Sequence, residues 1–451
     1  MPDQKTPKIG FVSLGCPKNL VDSEVMLGTL ARQGYSITPQ KEDADVIVVN
    51  TCGFIDSAKK ESIDTILEMA ELKNSGNCKK LVVAGCLAER YRSEIQKEIP
   101  EIDFIFGPDE LGRILEAVQL ESSAAAPSVT IDALYSSKEI PTIPRMLTTP
   151  AHMAYLKISE GCDHVCTFCA IPGFRGRFRS RTTSDLIAEA RRLAEQGVRE
   201  LVIVSQDTMA YGKDLGMPNG ITELLRQLVK IDGLKWVRFL YCYPNMVSDE
   251  LVQLVAEEKR LCKYFDIPYQ HASRPVLERM KRGGHREAYE RQIGSIRRIM
   301  PDAGLRTSFI VGFPGESEQD FQEVRTFTRN VGFDNVGVFL YSDEEGTGAF
   351  DLDSKVTRAV AARRRNTLMK EQSKISRKKL TGMVGRTVEV LLDGASDESD
   401  LLLQGRMQTQ APEIDGHVLI NDTGDKQVTP GGFYDVEITD SLEYDLIGKI
   451  I

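Results

Sequence analysis

Short apolar runs alternate with amphipathic stretches twice along this chain, and few folds accommodate that pattern. A repeated strand–helix series closes as a parallel sheet covered by helices. In the first ~120 residues the strand candidates are 9–14, 46–50 and 81–84. Helices are expected at 23–32 and 58–72, where Ile63, Ile66, Leu67 and Ala70 recur at helical spacing. A second series begins near residue 151, with strands at 155–158, 201–205, 236–241, 264–267, 307–311 and 335–340. Helices fall between them, such as 185–195 with Ser184 as N-cap. A closed (β/α)8 barrel needs eight such units. Six imply a partial, open-sided (β/α)6 barrel.

The stretch 121–150 breaks both series with Pro127, Pro141, Pro144 and Pro150, and reads as a linker. Residues 355–380 read as one long helix carrying ten Lys or Arg and a single acid, Glu371. The composition then inverts: 381–451 hold four basic residues against fourteen acidic ones, a net of −10. Short β-rich runs there, 387–392 and 434–438, suggest a small antiparallel β-barrel. The chain is thus an α/β multidomain protein, with an N-terminal domain at 1–120, a linker at 121–150, a second domain at 151–370 and a third at 371–451.

Hydrophobic residues at 41% and charged residues at 27% exclude a disordered or fibrous chain. Apolar runs such as 46–49 and 81–84 fall far below the ~18 residues of a membrane span, and the polar start does not resemble a signal peptide. A cytoplasmic location with no membrane partner is expected. Nine cysteines, an odd number, make a poor disulfide framework, so metal or thiol chemistry is the question they pose.

Cys162, Cys166 and Cys169 have the spacing C-x-x-x-C-x-x-C in one loop after the first strand of the second series. Three such thiolates can ligate three irons of a 4Fe–4S cluster and leave the fourth open. A zinc knuckle would want a fourth protein ligand, and His164 inside the loop reads as a solvated filler. A second set is spread wider. Cys16, Cys52 and Cys86 each follow a strand of the N-terminal series, and in a parallel sheet those ends share one edge. Cys78 precedes its strand and belongs at the opposite edge. The competing reading is three unrelated core cysteines.

The 162–169 loop, with aromatic Phe168 before its last Cys, resembles the signature of radical S-adenosylmethionine (SAM) enzymes. That resemblance implies S-adenosyl-L-methionine on the open iron and its cleavage to a 5′-deoxyadenosyl radical. Gly312-Phe313-Pro314-Gly315-Glu316 is similar to a SAM-contacting motif of that superfamily, and Gln206, within Ser205-Gln206-Asp207-Thr208, ends a strand where it can face SAM. A plain strand-to-helix turn is the other reading of 312–316. Tyr269-Gln270-His271 follows the fourth strand, where a lone His is more often structural. Arg175, Arg177, Arg179 and Arg181 alternate in an extended arrangement suited either to an acidic substrate side chain or to an ordinary solvated edge.

With both cysteine triads present, the chain resembles the methylthiotransferase family end to end. The resemblance implies an N-terminal domain holding a second cluster on Cys16, Cys52 and Cys86, a radical SAM barrel with the first on Cys162, Cys166 and Cys169, and a C-terminal OB-like TRAM barrel. It implies two 4Fe–4S clusters, and SAM used once for a methyl group and once for a radical. Ser13-Leu14-Gly15-Cys16-Pro17-Lys18-Asn19-Leu20-Val21-Asp22-Ser23, Ala170-Ile171-Pro172-Gly173-Phe174-Arg175-Gly176 and Phe178-Arg179-Ser180-Arg181 resemble the branch that modifies a ribosomal protein. Its substrate is an aspartate β-carbon of the twelfth small-subunit protein, free or within the subunit, and an electron donor is required. The alternatives are the tRNA-modifying branch and, from another class, a non-catalytic iron–sulfur electron carrier. A net charge of −9 and the acidic C-terminal region, with its run Asp397, Glu398 and Asp400 in an expected exposed turn, favour a basic protein partner over tRNA.

Overall fold

The computed structural model describes residues 6–120, 144–397 and 399–451. Glu398, the side chain of Asp400 and most of the expected linker lie outside the described residues. The chain forms two compact units. The first comprises Met1–Thr148, Tyr155–His164 and Cys169–Glu189, and the second Thr149–Ala154, Val165–Phe168 and Ala190–Ile451.

The first unit is built on a five-stranded sheet: β1 (Lys8–Ser13), β2 (Ser36–Thr38), β3 (Val46–Thr51), β4 (Lys80–Gly85) and β5 (Phe104–Phe106), in the order β2-β1-β3-β4-β5. Every pair is parallel. The all-apolar run of β3 follows from burial on both faces. Ile47 and Val49 pack into one core cluster with Leu81 and Val83, while Val46 and Val48 pack into another with Val82 and Ala84. That is the period-2 alternation of a strand. β2 and β5 are three-residue edge strands, too short for their apolar pattern to register in the sequence. The first helix runs Pro17–Arg32, not 23–32. Pro17 fits its first turn, where φ is fixed and no N–H is needed. The extra residues include buried polar Lys18, Asn19 and Asp22, which hide the helical period.

The described residues after Ile143 enter this unit through buried charge. Arg145 pairs with Glu24 and, at 2.6 Å, with Glu189; Arg181 pairs with Glu189 at 2.5 Å and Asp185 at 2.6 Å. Thr182 Oγ1 accepts from Asp185 N at 3.3 Å, and the helix runs Thr183–Glu195. The expected cap at Ser184 is therefore corrected to Thr182, because that hydroxyl meets the orphan amide three residues on.

Burial works to raise the carboxyl of Glu189, but Arg181 and Arg145 overcome it and bring it down to about 2. A depressed carboxylate stabilises the fold above its ordinary value and ceases to do so as pH falls toward its folded value. Wild type should therefore lose ~3 kcal/mol of stability from this group between about pH 4.5 and 2. Glu189→Gln should cost several kcal/mol at pH 7, on the order of 3–5, by leaving two buried guanidiniums short of a partner. Urea unfolding should show the gap between the two proteins narrowing at pH 3. An equal gap at both pH values would refute the charge pairing as its source.

The second unit contains β9 (Glu200–Val204) and β10 (Trp236–Phe239), which pair in parallel, and the first two residues of β6 (Met153–Lys157). A second sheet holds β11 (Tyr264–Asp266), β12 (Gly304–Val311) and β13 (Asn335–Leu340), again parallel. An isolated parallel bridge joins Val237 of β10 to Leu261, three residues before β11 begins. These are the six strands of the partial barrel. The two-stranded ribbon β7 (Ser159–Glu160) and β8 (Arg179–Ser180) belongs to the first unit.

The C-terminal barrel closes as β14-β15-β16-β18-β17, from β14 (Thr387–Ser396), β15 (Ser399–Arg406), β16 (Val418–Asp422), β17 (Phe433–Ser441) and β18 (Leu446–Ile450). It is not wholly antiparallel: β16 and β18 pair in parallel. β17 pairs with β14 as well as β18, so closure brings β16 and β18 side by side with the same polarity. Val390, Leu392, Ile420, Val436 and Ile438 fill its interior. Asp397 is exposed in the turn after β14. Among the described residues no helix is long and apolar enough to cross a membrane.

Candidate functional site

β1, β3 and β4 are adjacent and parallel, so the turns after them share the C-terminal edge of the sheet. Cys16 precedes the helix Pro17–Arg32, Cys52 follows β3, and Cys86 opens the helix Cys86–Arg90. Gly15 (φ +93°) leaves room that a side chain would take: a Cβ there would stand 2.8 Å from Cys52 Cβ and 3.2 Å from Cys52 Sγ. Asn19 Nδ2 ties two of the turns by donating to Leu14 O at 2.6 Å and Thr51 O at 3.3 Å. The three thiols are close enough to act on one another electrostatically. Burial raises the Cys86 thiol to about 12, against the pull of Arg175, and Cys16 and Cys52 push it further up. Burial likewise raises Cys52. Cys16 is half-buried, and although desolvation works to raise it, Lys18, Arg175 and the backbone amides of Asn19 and Lys18 bring its thiol below its ordinary value. Cys78 stands before β4 and donates to Lys80 O at 3.4 Å, away from this edge.

Arg175 occupies the centre of the cysteine edge. It ends the helix Ile171–Arg175 and is buried. Its Nε and Nη2 donate to Cys86 Sγ at 3.3 and 3.2 Å, and Nη2 also donates to Asn19 Oδ1 at 3.1 Å. Its Nη1 donates to Asp22 Oδ2 at 3.0 Å and to both Glu160 oxygens at 3.1 and 3.0 Å. Lys157 pairs with the same two carboxylates, at 2.8 Å from Glu160. The expected extended arginine array is therefore corrected. Arg175 is helical and fully engaged, Arg179 pairs with Asp109 at 2.8 Å, and Arg181 belongs to the Glu189 network. Packing in the interior, invisible in an alternating R-x-R pattern, separates them.

Among the described residues no three His, Cys, Asp or Glu side chains close on a single metal ion. The cysteine edge instead has the chemistry of an iron–sulfur site: three thiols and a guanidinium donating to sulfur, with hydrogen bonds to sulfur among the determinants of a cluster's potential. In that sense the residues fit the group.

The 162–169 loop is anchored in each unit separately. In the first, Cys162 N donates to Gly176 O at 3.2 Å, and Asp163 Oδ1 accepts from Phe178 N at 3.1 Å. Gly161 (φ +79°) allows the approach of Arg177 O, 2.1 Å from where a Cβ would stand. In the second, Thr167 Oγ1 donates to Arg279 O at 2.9 Å and Thr167 N to Met280 O at 3.1 Å. Arg282 Nη1 donates to Cys166 Sγ at 3.4 Å while its Nη2 holds Pro268 O at 2.8 Å. Cys162, Cys166, Cys169, Phe168 and His164 are all half-buried, and Val165 is the exposed tip.

Gly312 and Gly315 both have φ +80°. Glu316 is buried and folded back on its own turn, accepting from Gly312 N and, at 3.0 Å, from Phe313 N. Its other oxygen meets Arg364 at 3.2 Å. The carboxylate thus shapes the turn, and the backbone of the glycines is what the motif presents. Gln206 is half-buried beside Asp207, whose Oδ1 accepts from Met209 N at 3.0 Å. His271 is wholly buried, its Nδ1 accepting from Ser273 N at 3.0 Å. Asp22, Glu160, Lys157 and Arg282 were missed from the sequence. Glu160 gave one usable signal, a charge directly before Gly161-Cys162; Arg282, more than a hundred residues from Cys166, gave none.

Residues 8–107 match the model described as uncharacterized protein family UPF0004, 156–328 match the radical SAM superfamily and 384–451 the TRAM domain. Among curated relatives, ribosomal protein uS12 methylthiotransferase RimO of Koribacter versatilis is 48% identical, covering 100% of this chain and 97% of the relative. The protein of the same name from Solibacter usitatus is 50% identical over 98% of this chain and 95% of its own length. Of solved structures, the radical S-adenosylmethionine methyltransferase TsrM from Kitasatospora setae aligns with a TM-score of 0.55 at 13% identity, covering 82% of this chain and 89% of that one. The cobalamin-dependent S-adenosylmethionine radical enzyme OxsB gives 0.51 at 12% identity, over 82% of this chain and 56% of its own. At these identities the structures share the fold alone.

Proposed function

We propose that this chain, which belongs to the ribosomal protein uS12 methylthiotransferase (RimO) family, adds a methylthio group to the β-carbon of an aspartate of uS12 in the cytoplasm. The observation that carries the reading is 48% identity to a relative of that name over the full length of this chain. Both cysteine triads support it, since an electron carrier needs neither two three-cysteine sites nor SAM. When bound, the two clusters supply an electron for SAM cleavage, at Cys162, Cys166 and Cys169, and a seat for sulfur, at Cys16, Cys52 and Cys86.

The protein's own part is to hold those sulfurs. Asp22 and Glu160 fix the plane of Arg175 by charge-assisted bonds, and Arg175 turns two of its three remaining donors to Cys86 Sγ and the third to Asn19. Arg282 does the same singly at Cys166. The glycine backbone at Gly312 and Gly315 and the side chains of Phe168 and Gln206 are the surfaces offered to SAM. Substrate binding falls to the acidic C-terminal barrel, whose charge complements a basic ribosomal protein. The electron donor is a reductant acting on the radical cluster.

The test is mass spectrometry of ribosomal proteins and tRNA from cells lacking this protein. Unmodified uS12 with unchanged tRNA is expected, and restored modification on re-expression. Loss of a tRNA methylthio group instead would transfer the chain to the tRNA branch.

Arg175→Gln gives a finer check. Removing two N–H···S bonds and a positive charge disfavours the more negative, reduced cluster. In a protein carrying only the N-terminal cluster, the midpoint potential should fall by about 60 mV or more, the value of a tenfold change for one electron. An unchanged potential with full iron content would dismiss Arg175 as a tuning group.

A further inference from the structure

We propose that the solvent face of the helix Arg358–Thr381 docks on the phosphate backbone of RNA. The ten basic residues of 355–380 divide into two sets. Lys355 pairs with Asp343 at 2.6 Å, Lys379 with Asp334 at 2.7 Å, and buried Arg364 with Glu316 at 3.2 Å. Arg364 and Lys379 hold the helix to the unit, and Lys355 fixes the residues just before it. Glu371, the only acid of the stretch, is neutralised by Arg325 and by Arg329 at 2.5 Å, so it does not offset the rest. Arg358, Arg365, Lys370, Lys374, Arg377 and Lys378 are exposed and form no ion pair among the described residues; Arg363 is also exposed and only 3.9 Å from Glu318.

Arg363, Lys370, Lys374 and Arg377 recur at intervals of seven, four and three, which places them on one face. At 1.5 Å per residue they form a row roughly 21 Å long. The face opposite, with Ala361, Leu368, Gln372 and Ser376, is buried. An interfacial membrane helix would carry an apolar face toward the lipid, and this one has spent its apolar residues on the interior. A protein interface would present aromatic or other anchor residues, and the row has none. Repeated cations without anchors match repeated phosphates, which position a partner without reading its sequence. The source of the RNA rests on the function proposed above: uS12 in a ribosomal subunit is bordered by ribosomal RNA. The acidic barrel would then hold the protein while the basic row holds its RNA.

The test uses the full-length protein, a labelled RNA duplex of about 20 base pairs, and fluorescence anisotropy between about 50 and 200 mM salt. Wild type should show a log–log salt slope near −3 to −4, about that of four phosphate contacts. Combined Lys370→Glu, Lys374→Glu and Arg377→Glu should weaken binding at least tenfold and flatten the slope by about two to three. The three Gln replacements should fall between, with an unchanged unfolding midpoint, which separates charge from misfolding. Free uS12 should be modified at the wild-type rate by the Glu variant, and uS12 within small subunits more slowly. If wild type modifies uS12 neither free nor within small subunits, the function is wrong while the RNA arm still stands or falls alone. Equal RNA affinity and slope in wild type and variant, or binding to phosphatidylserine vesicles in preference to RNA, would overturn the proposal.

Discussion

Cys162→Ala, Cys166→Ala and Cys169→Ala will each abolish release of 5′-deoxyadenosine from SAM under anaerobic reduction. The loop offers three thiolates and no fourth, so each substitution removes a third of the protein's hold on that cluster. Neighbouring groups cannot stand in. His164 is the nearest alternative ligand by sequence, but imidazole is a poor substitute for thiolate in a low-potential cluster. Arg282, at 3.4 Å from Cys166 Sγ, is a donor that needs an acceptor sulfur and supplies no ligand itself. The expected loss is at least a hundredfold in SAM cleavage, together with roughly half the iron, while Arg282→Lys should keep the iron and lower the rate only in part. Cleavage at near wild-type rate by any one of the three alanine variants would remove the loop from the radical chemistry.

Strands whose side chains alternate between two buried faces were the most legible part of the fold. β3 and β4 declare themselves because every residue from Val46 to Val49 and from Leu81 to Ala84 is apolar, and β13 was bounded to the residue at Asn335–Leu340. What stayed hidden was buried charge. Asp22, Glu24, Lys157, Glu160, Arg175 and Arg181 read as surface residues by composition, yet all are buried and paired. Such groups pair across more than a hundred residues, as Arg175 does with Asp22, and no local period records that. The parallel β16–β18 pair was lost for a related reason, since barrel closure is a long-range property. The cysteines were legible because strand order in a parallel sheet converts sequence position into an edge. Arg175 beside them was not, because its pattern with Arg177, Arg179 and Arg181 suggested an exposed row.

The N-terminal triad should separate from the radical loop in a second experiment of comparable size. Cys16→Ala, Cys52→Ala and Cys86→Ala should each lose about half the reconstituted iron and all methylthio transfer, yet retain SAM cleavage. The reason lies in the edge geometry. Each of the three turns supplies one thiol, and Gly15 brings the first turn so near Cys52 that a Cβ there would stand 2.8 Å from Cys52 Cβ. Cys86 should be the most severe of the three for stability as well, because its loss leaves Arg175 two donors short of acceptors in a buried site, a penalty of about 1–3 kcal/mol per unmet group. Cys86→Ser, which restores an acceptor but a poor iron ligand, should recover stability without recovering the cluster. Cys78→Ala is the internal control: that thiol sits at the other end of β4, and its removal should leave iron content, SAM cleavage and transfer intact. If Cys78→Ala loses a cluster while Cys52→Ala keeps both, the sulfur seat is not at the C-terminal edge of the sheet and Arg175 is a structural ion pair alone.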